Sequence, residues 1–175
     1  TNYAMVITTN AGLWRYKIGD TIRFTSLSPY RIQVTGRTKH FINVFGEELI
    51  IDNAEKALEK VCSQTKSNVF NYTAGPIFME KNKQGAHEWI IEFDREPEDL
   101  SLFCRLFDKA LQNENSDYEA KRYNNMTLKP LRLHKARKGL FYKWLSQKGK
   151  LGGQHKVPRL SNSREILDEL LKMNY

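Results

Sequence analysis

An α+β fold is predicted by three features of this 175-residue sequence. Short runs rich in β-branched and aromatic residues open the chain, a helical apolar spacing begins after residue 50, and strand-like and helical segments then follow one another to the C-terminus. Residues 3–9 (YAMVITT), 20–25 (DTIRFT) and 31–36 (RIQVTG) are separated by Asn, Gly, Ser and Pro and read as an antiparallel meander. The first run starts at the second or third residue with no capping turn before it, so a sheet belonging to a longer parent chain is expected.

After Gly36 the pattern changes to that of a second unit. FINVF (41–45) is a brief strand, and IDNAEKALEKV places Ala54, Leu58 and Val61 on one helical face behind an Asp52 or Asn53 cap. A strand near 68–79 and the strand AHEWIIEF (86–93) follow, then a helix over 98–114 with Leu100, Phe103, Leu106, Phe107 and Ala110 on its apolar face. Trp89, Ile91 and Phe93 alternate along their strand and are expected in the core rather than on a base-stacking platform. A strand near 128–134, a basic amphipathic helix at 138–147 and a flexible loop, KGKLGGQHKVPR, lead to a last helix capped by Ser161 or Ser163.

Apolar residues make up 40% of the chain, enough for a real core. No apolar run reaches the roughly 18 residues of a membrane span, and the opening TNYAMVITT lacks the basic-then-apolar order of a secretory signal. A soluble, cytoplasmic protein with no membrane partner is expected. Cys62 and Cys104 fall on helical faces without CxxC or Cys/His spacing and read as buried, reduced thiols. The net charge of +8 is concentrated: residues 121–160 hold twelve Lys or Arg and no Asp or Glu, whereas the remainder holds sixteen basic and twenty acidic side chains. A solvated face is the simplest reading of that stretch, Arg132, Lys135, Arg137 and Lys138 included, with nucleotide phosphates and nucleic acid as alternatives.

The most informative stretches are GLWRYKIGD (12–20) and GRTKHFINVFGEE (36–48), in which a Gly-Asp and a Gly-Arg end successive strand-like segments. A carboxylate at a strand end can accept both ribose hydroxyls of a nucleotide, and a nearby arginine can donate toward the ribose or the phosphates. These stretches resemble the acyl-adenylating superfamily that includes firefly luciferase and acyl-CoA synthetases. Within it, VITTNAGLWRYKIGD is most similar to the auxin-responsive acyl acid amido synthetases, where a Thr-Thr pair, Gly-Leu-aromatic-Arg-Tyr and Gly-Asp run together. The resemblance implies that Asp20 binds the ribose, that Arg37 contacts the nucleotide, and that Lys39 marks the hinge about which a C-terminal domain rotates. Gly46 and Glu55 fall in register with the superfamily's glycine and helix glutamate. The sequence departs in having Gly36 where the superfamily has aspartate, and a longer span before it.

GGQHKVPR (152–159) places a lysine after glycines and before a proline that restricts Val157 to extended backbone. Gln154-His155-Lys156-Val157-Pro158-Arg159 resembles the family's Gln-aromatic-Lys-Thr-Pro-Arg, with His and Val substituted. The resemblance makes Lys156 the catalytic cation that meets the acyl carboxylate and the α-phosphate, where attack brings negative charges together. KGKLGG lacks the order of a GxxxxGK[ST] phosphate loop. His40, His87, His134 and His155 show neither metal spacing nor a nucleophile partner, so no metal site is expected.

The resemblance implies a division of parts. Residues 1–37 are the terminal β strands of a large N-terminal adenylation domain, and 38–175 are a mobile C-terminal domain with a small mixed sheet flanked by helices. It implies ATP and magnesium as cofactors, carboxylic acid and amino acid substrates, and partnership with the N-terminal domain of the same chain, missing here with its phosphate loop and acyl pocket. This stretch alone is then expected to be inactive. A basic nucleic-acid-binding module, a thiol acceptor in place of the amine, and a protein-interaction domain are the competing readings.

Overall fold

The computed structural model describes residues 1–37, 41–80, 83–125, 127–150 and 156–175, and it has the expected α+β character. Strands β1 (Tyr3–Ile7), β2 (Tyr16–Leu27) and β3 (Tyr30–Arg37) form the antiparallel meander, in that order. β2 starts well before residue 20. The Gly-Asp read as a strand end lies inside the strand, because Ala4 and Val6 pair with Thr21 and Lys17, leaving extra β2 residues across Ile18–Asp20. Gly19, at φ +88°, absorbs that irregularity in a conformation few side chains tolerate. The sheet buries little: Ile22 is its buried apolar residue, and Val6, Phe24, Tyr30, Ile32 and Val34 are exposed.

β4 (Phe41–Ile42) and β5 (Leu49–Ile50) form a short antiparallel pair, shorter than the strand expected over 41–45 because the chain turns at once through 43–48. Helix α1 (Ile51–Thr65) buries Ala54, Ala57, Leu58 and Val61, the expected face. Its cap differs from expectation: Ile50 is the N-cap residue, and Asn53 reaches back to accept from the Ile50 N–H at 3.2 Å. Strands β6 (Asn68–Ile77) and β7 (Ala86–Arg95) pair antiparallel. Helix α2 (Leu100–Glu114) is capped by Asp99, and a short helix α3 (Ser116–Arg122), not legible in the sequence, follows with Asn115 as its cap. β8 (Arg132–Lys135) lies parallel to β7, completing a mixed sheet of order β6-β7-β8. Helix α4 (Leu140–Gln147) and helix α5 (Glu165–Asn174) close the chain. Ser163 does not cap α5 from the N-cap position, which Arg164 holds, but its hydroxyl accepts from the Glu165 N–H.

β7 is buried on both faces from Ala86 to Phe93. One alternate set, Trp89, Ile91 and Phe93, packs with α1 and α2 in the larger core, as the alternation in AHEWIIEF predicts. Trp89 meets Phe107 and Phe93 meets Phe103 edge-on, with centroids 4.8 and 5.2 Å apart, each adding about 0.5–1.5 kcal/mol to the burial itself. The other set carries Glu88, Ile90 and Glu92. Ile90 joins a second core with Leu140, Phe141, Trp144, Leu167 and Leu170 of α4 and α5. Glu92 accepts from the N–H groups of Gly139 (2.6 Å) and Phe141 (3.5 Å), so a strand carboxylate caps α4, whose own N-cap glycine has no side chain to do so. Glu88 accepts from Arg164 at 2.7 Å and contacts His134 Nε2 at 2.8 Å.

Asp108, Tyr118 and Arg122 make a third buried polar group. Arg122 donates to both Asp108 oxygens and to the Leu128 carbonyl, and Tyr118 donates to Asp108 at 2.8 Å. Replacing Asp108 by Ala strands the guanidinium in the interior and should cost about 3–5 kcal/mol in denaturant unfolding, whereas Lys83→Ala, which removes an exposed pair with Glu80, should stay within about 0.5 kcal/mol. Burial pushes the Glu88 carboxyl upward, but hydrogen bonds from His134 and Arg164 outweigh it and hold the group below its ordinary value. Its stabilisation is therefore complete above the unfolded-chain value of about 4.3 and is lost as pH falls through the lower folded value. Unfolding measured at neutral and at strongly acidic pH should find Glu88→Gln less stable than the parent at the first and level with it at the second.

Candidate functional site

Asp20 sits on β2 directly opposite Arg37 of β3 in the strand register, half-buried and beside the Gly19 irregularity. Bulges commonly re-aim a side chain at such places. The next pair in the ladder is Thr21 with Gly36, and the Thr21 and Thr35 hydroxyls meet at 3.1 Å. The structure thus brings together the two residues expected to contact the nucleotide. Lys39, the expected hinge, lies outside the described residues. The Thr-Thr pair shapes the turn into β2: Thr8 Oγ1 accepts from the Arg15 N–H at 3.1 Å, and the Thr9 N–H donates to the Leu13 carbonyl at 2.9 Å. Gly12 at φ +101° and Arg15 at φ +48° complete that turn.

Lys156 belongs to the other sheet. Gln154 and His155 lie outside the described residues, but from Pro158 onward the chain is held to the outer edge of β6. The Thr73 hydroxyl donates to the Pro158 carbonyl at 2.6 Å, the Ala74 N–H to the Arg159 carbonyl at 2.9 Å, and the Ser161 N–H to the Ala74 carbonyl at 3.1 Å. Leu160 makes a parallel bridge to Ala74, and both Val157 and Leu160 are buried. Lys156, just before this anchor, is exposed. The Arg159 guanidinium lies 5.0 Å from the centre of the Tyr72 ring and pairs with Glu55 of α1. Burial holds Arg159 below its ordinary value. A groove of about 310 Å³ opens beside it, bounded by Glu55, Leu58, Cys62, Phe70 and Tyr72.

The turn between β4 and β5 carries a buried acid–histidine contact. Glu47 and His87 are both fully buried and meet at 2.8 Å, and the other Glu47 oxygen accepts from the Phe45 N–H at 2.7 Å. Burial raises the Glu47 carboxyl, yet the contacts with His87 and the backbone bring it below its ordinary value. Phe45 stacks on His87 and covers Gly85, where an added Cβ would lie 2.5 Å from the ring. Gly46 turns at φ +79°, and the Asn43 N–H is tied to Asn162 at 2.8 Å. His87 is thus a core histidine. Its carboxylate partner lies in a distant segment, and no local spacing announces the pair.

Several basic side chains of 121–160 meet carboxylates from the rest of the fold. Arg122 pairs with Asp108, Arg132 with Glu88, Lys135 with Glu96, Lys148 with Glu169 and Arg159 with Glu55. A run that is one-sided in sequence is therefore partly neutralised in space. Cys62 and Cys104 are free, half-buried thiols on α1 and α2. Among the described residues, no group of three or more His, Cys, Asp or Glu is placed to hold a metal ion, and no helix is long and apolar enough to cross a membrane.

Comparison with known proteins gives a consistent result. Residues 52–165 match the GH3 family C-terminal domain and residues 1–37 the GH3 family central domain. The chain is 28% identical to indole-3-acetic acid-amido synthetase GH3.10 of Arabidopsis thaliana, over 96% of this chain and 29% of that protein. It is 30% identical to jasmonoyl–L-amino acid synthetase GH3.5 of Oryza sativa subsp. japonica, over 99% of this chain and 32% of that protein. The solved GH3.15 acyl acid amido synthetase in complex with 2,4-DB has the same fold, with a TM-score of 0.75 at 20% identity over 99% of this chain and 32% of that one. The chain thus spans 29% to 32% of the length of these proteins.

The pairing of the basic stretch predicts weak, non-specific binding to DNA and RNA, with a Kd no tighter than about 1 μM at physiological salt. A titration at two salt concentrations checks this; tight binding with a steep salt slope would restore the nucleic-acid reading.

Proposed function

The chain belongs to the GH3 family, and from that premise we propose that it supplies the ribose-binding strand pair, the hinge and the catalytic lysine of an ATP-dependent acyl acid amido synthetase. The observation that carries the reading is the cross-strand register of Asp20 with Arg37. In this reading Asp20 accepts the two ribose hydroxyls and Arg37 donates toward the ribose or the phosphates, the division of labour that a carboxylate and a guanidinium suit. Residues 1–37 then close the adenylation domain and 38–175 form the domain that rotates about Lys39. The separate sheets of the two stretches fit that division.

ATP contributes an electrophilic α-phosphorus: a carboxylate oxygen bonds to it as pyrophosphate leaves, and an amine then displaces AMP from the acyl carbon to give the amide. Lys156 would bring its ammonium to the carboxylate and α-phosphate, offsetting their repulsion where charge builds up. Magnesium, implied by the family resemblance, would offset the charge of the nucleotide's phosphates. Relatives named as amido synthetases support an amine rather than a thiol as acceptor. The free thiols of Cys62 and Cys104 suit a reducing compartment, in keeping with a cytoplasmic enzyme. Residues 1–175 alone are expected to bind ATP weakly and not to turn over.

ATP–pyrophosphate exchange by the full-length enzyme over a panel of carboxylic acids tests this reading. Lys156→Ala should lower the exchange rate about 100- to 1000-fold, and Asp20→Ala should chiefly weaken ATP binding. Exchange undiminished by Lys156→Ala would sink the lysine's assignment.

A further inference from the structure

We propose that Arg159 is a positioning residue: clasped between the Tyr72 ring and the Glu55 carboxylate, it fixes the stem from which Lys156 reaches the reacting phosphate. This inference rests on the role assigned to Lys156 above. The backbone of 158–161 is already held to β6 through Thr73 and Ala74, which sets the height of the stem along the strand. Those bonds, with the buried side chains of Val157 and Leu160, hold the backbone at the strand edge and leave the aim of the segment before them to side-chain contacts. Arg159 supplies such a contact, because its side chain crosses from the stem to α1, the helix that begins directly after β5. Its guanidinium plane has two different partners, an aromatic face and a carboxylate, and a fork that uses both fixes direction as well as distance. Lys156 stands three positions upstream, exposed and outside the anchor, so its delivery depends on the direction in which the stem is aimed.

Glu55 thereby gains a purpose. It is exposed on α1 beside a groove, where an acidic side chain has no packing role, and its partner is the arginine of the lysine segment. The pair joins two segments far apart in sequence, the helix following the hinge-side strands and the stem carrying the lysine. A change in the setting of α1 is therefore passed to the lysine by a side-chain contact and not only through the sheet.

The test is a mutant cycle in the full-length enzyme, read by pyrophosphate exchange. Arg159→Ala should lower kcat about 10- to 100-fold, the penalty of misplacing a catalytic group by an ångström or so, while KM for ATP and acid stays within about 2-fold. Arg159→Lys, which keeps the charge but loses the fork, should recover part of the rate, and Glu55→Gln should reduce it more mildly with the fold intact. Arg159→Ala added to Lys156→Ala should cost little further, because there is then no ammonium to aim. Trypsin should cut after Lys156 faster in Arg159→Ala than in the parent. A kcat unchanged by Arg159→Ala, or a loss as large in the Lys156→Ala background as in the parent, overturns the positioning role and leaves the lysine's role standing. Full activity in Lys156→Ala itself overturns both.

Discussion

A strand with no wet face has to find a partner for each acidic or histidine side chain it carries, and β7 is such a strand. Between Ala86 and Phe93 it holds His87, Glu88 and Glu92 at positions that a parallel core would fill with aliphatic residues. An unmatched buried polar or charged group costs free energy, so each of the three dictates where something else must stand. His87 draws in Glu47 and with it the turn between β4 and β5; Glu88 draws in β8 and the start of α5; Glu92 seats the N-terminus of α4. The placement of four peripheral elements follows from one strand's electrostatics as much as from the apolar packing on its two sides.

The candidate chemistry inherits this order. β6, which carries the anchor of the lysine stem on its outer edge, is fixed by β7 on its inner edge through an almost continuous ladder from Val69 to Ile77. The stem therefore leaves from a strand held along both edges, and Arg159 adds a side-chain link from it to α1. Asp20 and Arg37 face each other in the other sheet. They are aligned by strand register, and a register in a two-sided, exposed sheet is set by its turns and bulges, among them the irregularity at Gly19.

Much of this was legible in the sequence, and the reasons are specific. Alternation in AHEWIIEF and the helical spacing of Ala54, Leu58 and Val61 marked elements whose apolar residues face one way. The start of β2 was misplaced because Gly19-Asp20 has the composition of a turn, while its positive φ serves a bulge inside the strand. Helix α3 left little trace because DYEAKR contains one deeply buried apolar side chain, Tyr118, and one residue gives no periodicity. The Asp20, Arg37 and Lys156 motifs could be read locally. The Glu55–Arg159 and Glu47–His87 pairs could not, since opposite charges in distant segments carry no mutual signal until the chain folds.

The cluster around Glu88 also bears on how such a sequence can drift. His134 and Arg164 both converge on one carboxylate, and Arg164 is further committed to Asp168 and to the Pro76 carbonyl. A substitution at Arg164 removes a partner of the buried Glu88 carboxylate, and one at Glu88 leaves two half-buried cationic or imidazole groups without it, whereas a joint replacement by apolar residues of matching volume need not be costly. Divergence at this spot is therefore expected in coupled steps. Lineages that cross between the charged and apolar solutions would pass through a destabilised intermediate, so either solution, once adopted, tends to persist.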